Sequence, residues 1–255
     1  MASELTERKK QLRDEFIEAR GYWNPMWEGV LQLDEDFFAA YTQFSSVPWR
    51  SGVLDPKIKE FVYIAVDAAA THLFVPGIRQ HIKQAIGYGA TAQEIMEVLE
   101  LTSTLGIHAC NIGVPILFEE LEAAGQAVPG ELSERQEALK ADFTEKRGYW
   151  HQFWNEILLL DPDFFEAYTR FSSVPWLTGT LEPKVKELIY TAFDVSATHL
   201  YEKGLRLHIA NAIGYGATRE EIMEVIELAS VIGIHSANVG VPILLEELAA
   251  AGAAL

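Results

Sequence analysis

The chain has 255 residues, a net charge of −17, 49% hydrophobic and 22% charged residues, and one cysteine. That length buries a real core, as one large domain or two small ones. The acidic balance argues against nucleic acid and against an anionic membrane surface, both of which need a basic face. Cys110 alone cannot close an intrachain disulfide, so a reducing cytoplasm is expected.

In chain order, "MASELTERKK" carries no apolar segment, so no secretory signal is expected. No charge-free run of about 18 apolar residues follows, so no membrane helix is expected. Asp55-Pro56 reads as an N-cap with Pro at the first helical position. On the helix this opens, Glu60, Asp67 and Thr71 share one stripe, with Phe61, Val62, Ala65, Ala68 and Ala69 on the other side. Asp67 is the only charge between Phe61 and Arg79, which is sparse for a solvent face and suits the wall of a buried pocket. His72 ends this helix. A Pro76-Gly77 turn then leads to a second helix carrying Arg79 and His81. Gly89 reads as a helix stop, and Thr91 with Glu94 as a capping box. Ile95, Val98, Leu99 and Leu101 continue at helical spacing, and "GIHACNIGVPIL" places His108 among small and apolar residues. No stretch alternates with period two, so the fold expected is all-α.

The whole pattern then repeats. "RGYW" at 20–23 returns at 147–150, "FSSVPW" at 44–49 returns at 171–176, and "AIGYGAT" at 85–91 returns at 212–218, at one offset of 127 without a gap. Two tandem units are expected, 1–128 and 129–255, joined through the Gly- and Pro-containing "AAGQAVPGELS" and packed about a pseudo-twofold axis. The second unit supplies Glu187, Asp194, Thr198, His199, Arg206, His208 and His235 at the matching positions.

These residues carry the available chemistry. His72 and His81 face each other across a turn beside a carboxylate stripe, and imidazole gives and takes protons near neutrality. Arg79 and Arg206 point about 200° away from the histidines, which suits a surface or subunit salt bridge as well as a substrate carboxylate. His108 and His235 fit either a third pocket histidine or a structural one bonded to backbone. Cys110 has no cysteine counterpart in the second copy and is not expected to be a nucleophile. There is no nucleotide-binding glycine loop, no Cys-x-x-Cys, no His-Glu-x-x-His and no Gly-x-Ser-x-Gly. Glu60, His72 and His81 are chemically able to hold a metal, but their spacing matches no specific metal motif, so no metal and no cofactor are expected.

"LDPKIKEFVYIAVDAAATHL…RQHIKQAIGYGATAQEIMEVL" and its second copy resemble the carboxymuconolactone decarboxylase family, which also contains the AhpD-like alkylhydroperoxidases. The likeness is strongest over 54–101 and 181–228, and "H-x7-G-A-T-x-x-E-I" is its most specific part. The resemblance implies two tandem AhpD-like helical units. The peroxidase branch's glutamate falls on Glu60 and Glu187, its first cysteine on His72 and His199, and its histidine on His81 and His208. Its second cysteine has no equivalent near Val75 or Glu202, so thiol peroxidase chemistry is disfavoured. The resemblance then implies a cofactor-independent decarboxylase acting on a small carboxylated, conjugated or lactone substrate, as in aromatic-compound degradation. Catalysis would fall to His81, His208, His72, His199, Glu60 and Glu187. Asp67, Asp194, Arg79, Arg206, His108 and His235 would bind substrate. The alternative is a non-catalytic small-molecule or metal-binding protein on the same scaffold. Family members with one unit commonly form trimers of dimers, which implies a homotrimer here.

Overall fold

A computed structural model describes residues 5–127 and 130–252. All regular elements among them are helical. The first unit comprises α1 (Glu7–Arg20), α2 (Met26–Leu33), α3 (Glu35–Ser45), α4 (Val47–Arg50), α5 (Pro56–Ala68), α6 (Val75–Gly87), α7 (Ala92–Ser103) and α8 (His108–Ala123). The second comprises α9 (Glu134–Arg147), α10 (Asn155–Leu160), α11 (Pro162–Leu177), α12 (Pro183–Val195), α13 (Glu202–Gly214), α14 (Arg219–Ser230) and α15 (His235–Ala250). The expected boundary between residues 128 and 129 lies outside the described residues.

The local signals act as expected. The Asp55 carboxylate accepts from Lys57 N at 2.8 Å, opening α5. Thr91 and Thr218 each close a capping box, with Glu94 and Glu221. Ser133 does the same for α9 with Gln136. Gly89 and Gly216 take φ of 85° and 87°, conformations that L side chains rarely adopt.

The units are interlocked. Every residue of α5 from Lys59 to Asp67 is buried, because α6 and α7 of its own unit and α12 and α14 of the second unit all pack on it. One core cluster joins Val62, Tyr63 and Val66 to Leu188, Val225 and Leu228; its mirror joins Phe61, Ile64 and Leu101 to Ile189 and Phe193. The C-terminal helix of each unit crosses over: α15 packs on α2, and α8 on α10.

Two ion pairs also cross the interface. Lys59 Nζ lies 3.1 Å from Glu224 Oε1, and Lys186 Nζ lies 3.0 Å from Glu97 Oε1, with all four side chains almost fully buried. Glu224 also accepts from Leu54 N at 2.6 Å, and Glu97 from Thr180 N and Leu181 N at 2.6 and 3.0 Å. These pairs hold the start of each unit's central helix against the other unit.

The stretches Ala92–Ala123 and Arg219–Ala250 are long and apolar enough to cross a membrane by length and composition. Each is broken by a 3₁₀ turn, at Thr104–Ile107 and Val231–Ile234, and each carries one of the buried interface glutamates. Their first halves, α7 and α14, pack into the core, while α8 and α15 keep their apolar residues exposed or half-buried; the breaks aim the next residue, His108 or His235, into the interface.

Candidate active site

The hairpin differs from the expected one. Helix α5 ends at Ala68, before Thr71 and His72, so Thr71 lies off the helical stripe and is exposed. Pro76 and Gly77 do not form the turn; they sit inside the first turn of α6, where proline's missing N–H costs nothing. The chain reverses between Ala69 and Phe74 instead, through His72 N and Leu73 N donating to Ala69 O at 2.8 and 3.0 Å and Phe74 N to Asp67 O at 2.9 Å. Leu73 takes φ +50° and its counterpart Leu200 +51°, a left-handed conformation that a leucine holds only when its surroundings impose it. Gly77 has a steric reason: a Cβ there would collide with the Asp67 carboxylate, as one on Gly204 would with Asp194.

The carboxylates face inward. Glu60 and Asp67 are both fully buried, as are Glu187 and Asp194. Glu60 Oε2 and His81 Nδ1 lie 2.6 Å apart, and Glu187 Oε2 and His208 Nδ1 the same. Each dyad imidazole stacks on a tyrosine, His81 on Tyr63 at 4.4 Å and His208 on Tyr190 at 4.3 Å. With Nδ1 tied to the glutamate, Nε2 is the nitrogen left for chemistry. In the first site it lies 3.9 Å from Asp67 Oδ2.

The remaining histidines arrive from the other unit. His72 Nε2 is 2.8 Å from Nδ1 of His235, and His199 Nε2 is 2.6 Å from Nδ1 of His108. The two candidate third histidines are therefore pocket residues bonded to imidazole, and each serves the opposite copy. Each site holds Glu, Asp and two His from one unit with one His from its neighbour. Within the first site His81 pairs with Glu60, His72 pairs with His235, and the Asp67 carboxylate lies between them, 3.9 Å from each of the His72 and His81 Nε2 atoms.

Burial tunes these groups. It pushes Asp67 and Asp194 up to about 7, with Glu60 and Glu187 adding to the rise and the dyad histidines opposing it. It pushes His235 and His108 down to about 3, with the neighbouring histidines adding to the fall. His72 and His199 are lowered by burial as well.

Arg79 and Arg206 are exposed. Arg206 pairs with Glu202 on its own helix at 2.6 Å, the surface alternative of the sequence reading. Cys110 is half-buried and packs against the cluster of Phe143, Phe153 and Trp154.

The buried arginines are others, at the start of "RGYW". Arg20 and Arg147 are each 3% exposed. Arg147 donates to Ser172 O at 3.3 Å and Tyr190 Oη at 3.2 Å, and its guanidinium lies 5.3 Å from the centre of the Trp176 ring. Arg20 repeats this with Ser45 O, Tyr63 Oη and Trp49. All these hydrogen-bond acceptors are neutral. In the second unit a small cavity is lined by Arg147, Tyr149, Tyr168, Tyr190, Tyr201 and His208, so the dyad imidazole and the guanidinium border one space. The repeated "RGYW" was the available sequence signal.

The profile of the carboxymuconolactone decarboxylase family matches residues 35–106 and 162–244. The chain belongs to this family. A crystal structure of a provisionally named gamma-carboxymuconolactone decarboxylase subunit from Burkholderia xenovorans LB400 is 51% identical, with a TM-score of 0.92 over 95% of this chain and 98% of that one. No curated protein gives a match. The two matched regions and the near-complete overlap establish the tandem, all-helical carboxymuconolactone-decarboxylase-like architecture. Both glutamate–histidine dyads lie in the matched regions.

Proposed function

We propose that the chain is a carboxy-lyase acting on a small carboxylated, conjugated or lactone substrate, with proton transfer at His81 and His208. The observation that carries this reading is that His208, held by Glu187, and the buried guanidinium of Arg147 line one cavity; at about 20 Å³ it has room for about one water, so a substrate must widen it on entry.

The chemistry follows from the groups present. Breaking the bond between carbon and carboxylate releases carbon dioxide and leaves an electron pair. That pair must delocalise into a conjugated carbonyl, whose oxygen becomes enolate-like. A preorganised cation in a water-poor site stabilises such an oxygen far more than water does. Arg147 is suited to hold that oxygen, or a second carboxylate that stays with the substrate. Pairing it with the departing carboxylate would stabilise the ground state and slow the reaction. The His208 imidazolium then delivers a proton from Nε2 to carbon, while Glu187 fixes the ring and stabilises its charged form. Solvent restores the proton. Glu60, His81 and Arg20 play the same parts in the first unit.

The test is a panel of conjugated carboxylates and carboxylated lactones, scored by carbon dioxide release, with the wild type and the Arg20→Met/Arg147→Met double variant. Release by the wild type is expected, with kcat/KM reduced by about 10²-fold in the variant, the loss of one charge-assisted contact of roughly 3 kcal/mol; the loss falls on kcat where the arginine holds the enolate-like oxygen and on KM where it holds a retained carboxylate. A wild type that releases no carbon dioxide from any member rejects the reading. So does a folded variant with unchanged kinetics.

A further inference from the structure

The buried Asp67 leaves a problem that the dyad does not solve. Both its oxygens are inaccessible and make no hydrogen bond among the described residues, and the same holds for Asp194. Isolated buried carboxylates are costly and are normally paired, hydrogen-bonded or coordinated to metal. Opposite Asp67 Oδ1 stand two imidazole nitrogens, His235 Nδ1 at 3.6 Å and His72 Nε2 at 3.9 Å, themselves 2.8 Å apart. Opposite Asp194 Oδ1 stand His108 Nδ1 at 3.8 Å and His199 Nε2 at 4.0 Å, themselves 2.6 Å apart. The second cluster repeats the first at the 127-residue offset, so the arrangement is present in both copies of the unit.

We propose that each cluster binds one divalent first-row transition cation of the zinc class: Asp67, His72 and His235 at the first site, and Asp194, His199 and His108 at the second. A cation about 2.0–2.2 Å from each donor atom separates neighbouring donors by roughly 3–3.5 Å, and the observed separations bracket that range. One proton between facing imidazoles satisfies only one contact and leaves the carboxylate unserved. A cation satisfies all three donors at once.

Imidazole and carboxylate donors suit zinc, iron and manganese rather than the softer, thiolate-seeking ions. Three protein ligands leave a coordination position open, as in catalytic rather than structural sites. His72 and His235 also line a surface cleft with Leu73, Thr198 and Gly233, which supplies an entry path. Gly77 and Gly204 leave room for the aspartates, and Phe74 and Tyr201 stack on the crossed histidines at 3.8 and 3.9 Å. His81 and His208 remain outside the ligand sets. The sequence hides these sites because His72 and His235 are 163 residues apart, and no local spacing motif spans two units. The proposal revises the expectation that no metal is bound, and it does not rest on the decarboxylase reading.

The test uses untagged full-length protein, stripped with chelator, reloaded with Zn²⁺ or Co²⁺ and dialysed, with metal counted by mass spectrometry. Two equivalents per chain are expected for the wild type, one for His235→Gln, one for His108→Gln and none for the double variant, at unchanged helicity by circular dichroism. The Co²⁺ form should show visible absorption of a low-coordinate imidazole site. Should a histidine variant lose helicity, Asp67→Asn/Asp194→Asn and the Co²⁺ spectrum of the wild type decide. No retained metal, full retention in a folded double variant (cations held by the acidic surface only), or a Co²⁺ spectrum of the free aquo ion overturns the proposal.

Discussion

Replacing Glu224 with alanine tests whether the two units are held together by buried charge. In the native protein this carboxylate lies 3.1 Å from Lys59 Nζ and accepts from Leu54 N at 2.6 Å and from the Ser51 hydroxyl. Both charged side chains are 2% exposed. Glu224→Ala therefore leaves a buried ammonium with the Pro48 carbonyl as its remaining acceptor and strips Leu54 N–H of its partner. Removing one member of a buried ion pair costs about 3–5 kcal/mol, and an orphaned amide adds about 1–3 kcal/mol. These costs overlap, so a net loss of about 4 kcal/mol is expected, a large part of the roughly 5–15 kcal/mol that keeps a domain folded. Urea unfolding followed by far-UV circular dichroism reads it directly, and Glu97→Ala should behave alike. The Lys59→Met/Glu224→Leu double variant should recover most of the loss, because an apolar pair of similar volume avoids desolvating two charges. A Glu224→Ala protein within 1 kcal/mol of wild type would show that the pair is not buried and that the interlocked packing is wrong.

Further outcomes follow from the same geometry. Gly77→Ala and Gly204→Ala should each destabilise by about 1–3 kcal/mol in thermal unfolding, since the new methyl displaces a buried carboxylate; wild-type stability in both would refute the glycine–aspartate contact. A chain with Leu73, Ile112, Ile116 and Leu200 exposed should bury apolar surface in a trimer of chains; multi-angle light scattering giving a monomer at micromolar concentration would refute this. If the two sites act independently, His81→Gln alone should keep about half the turnover, measured at saturating substrate; near-complete loss would show that one site does the chemistry.

Much of this was legible in the sequence. The constant offset, the Asp55 cap and the paired threonine–glutamate boxes are local, covalent signals, and each holds in the fold. Asp67 was readable as part of a pocket wall because it is the only charge between Phe61 and Arg79, and Glu60 because it shares the same helical stripe. What failed was whatever depended on three-dimensional partners. Pro76-Gly77 reads as a turn by dipeptide preference, yet proline also suits a first helical turn, and the glycine is required by Asp67 rather than by chain reversal. Arg79 sat near the histidines in sequence but is exposed, whereas Arg20 and Arg147, from a distant helix end, bond to the tyrosines that stack on the dyad histidines. A repeated sequence does not say which copy a residue serves, so the exchange of His108 and His235 between sites had no signature. The same holds for Lys59 with Glu224, which are 165 residues apart.

The central claim is that the glutamate-held histidines transfer the proton. It is tested most directly by the turnover of His81→Gln/His208→Gln on the substrate found from the panel, with helicity checked alongside. Glutamine keeps size and hydrogen bonding but cannot titrate, and general acid–base catalysis contributes about 10²–10⁴-fold, so a loss in that range with native helicity is predicted. A folded double variant with undiminished turnover and unchanged KM would contradict it.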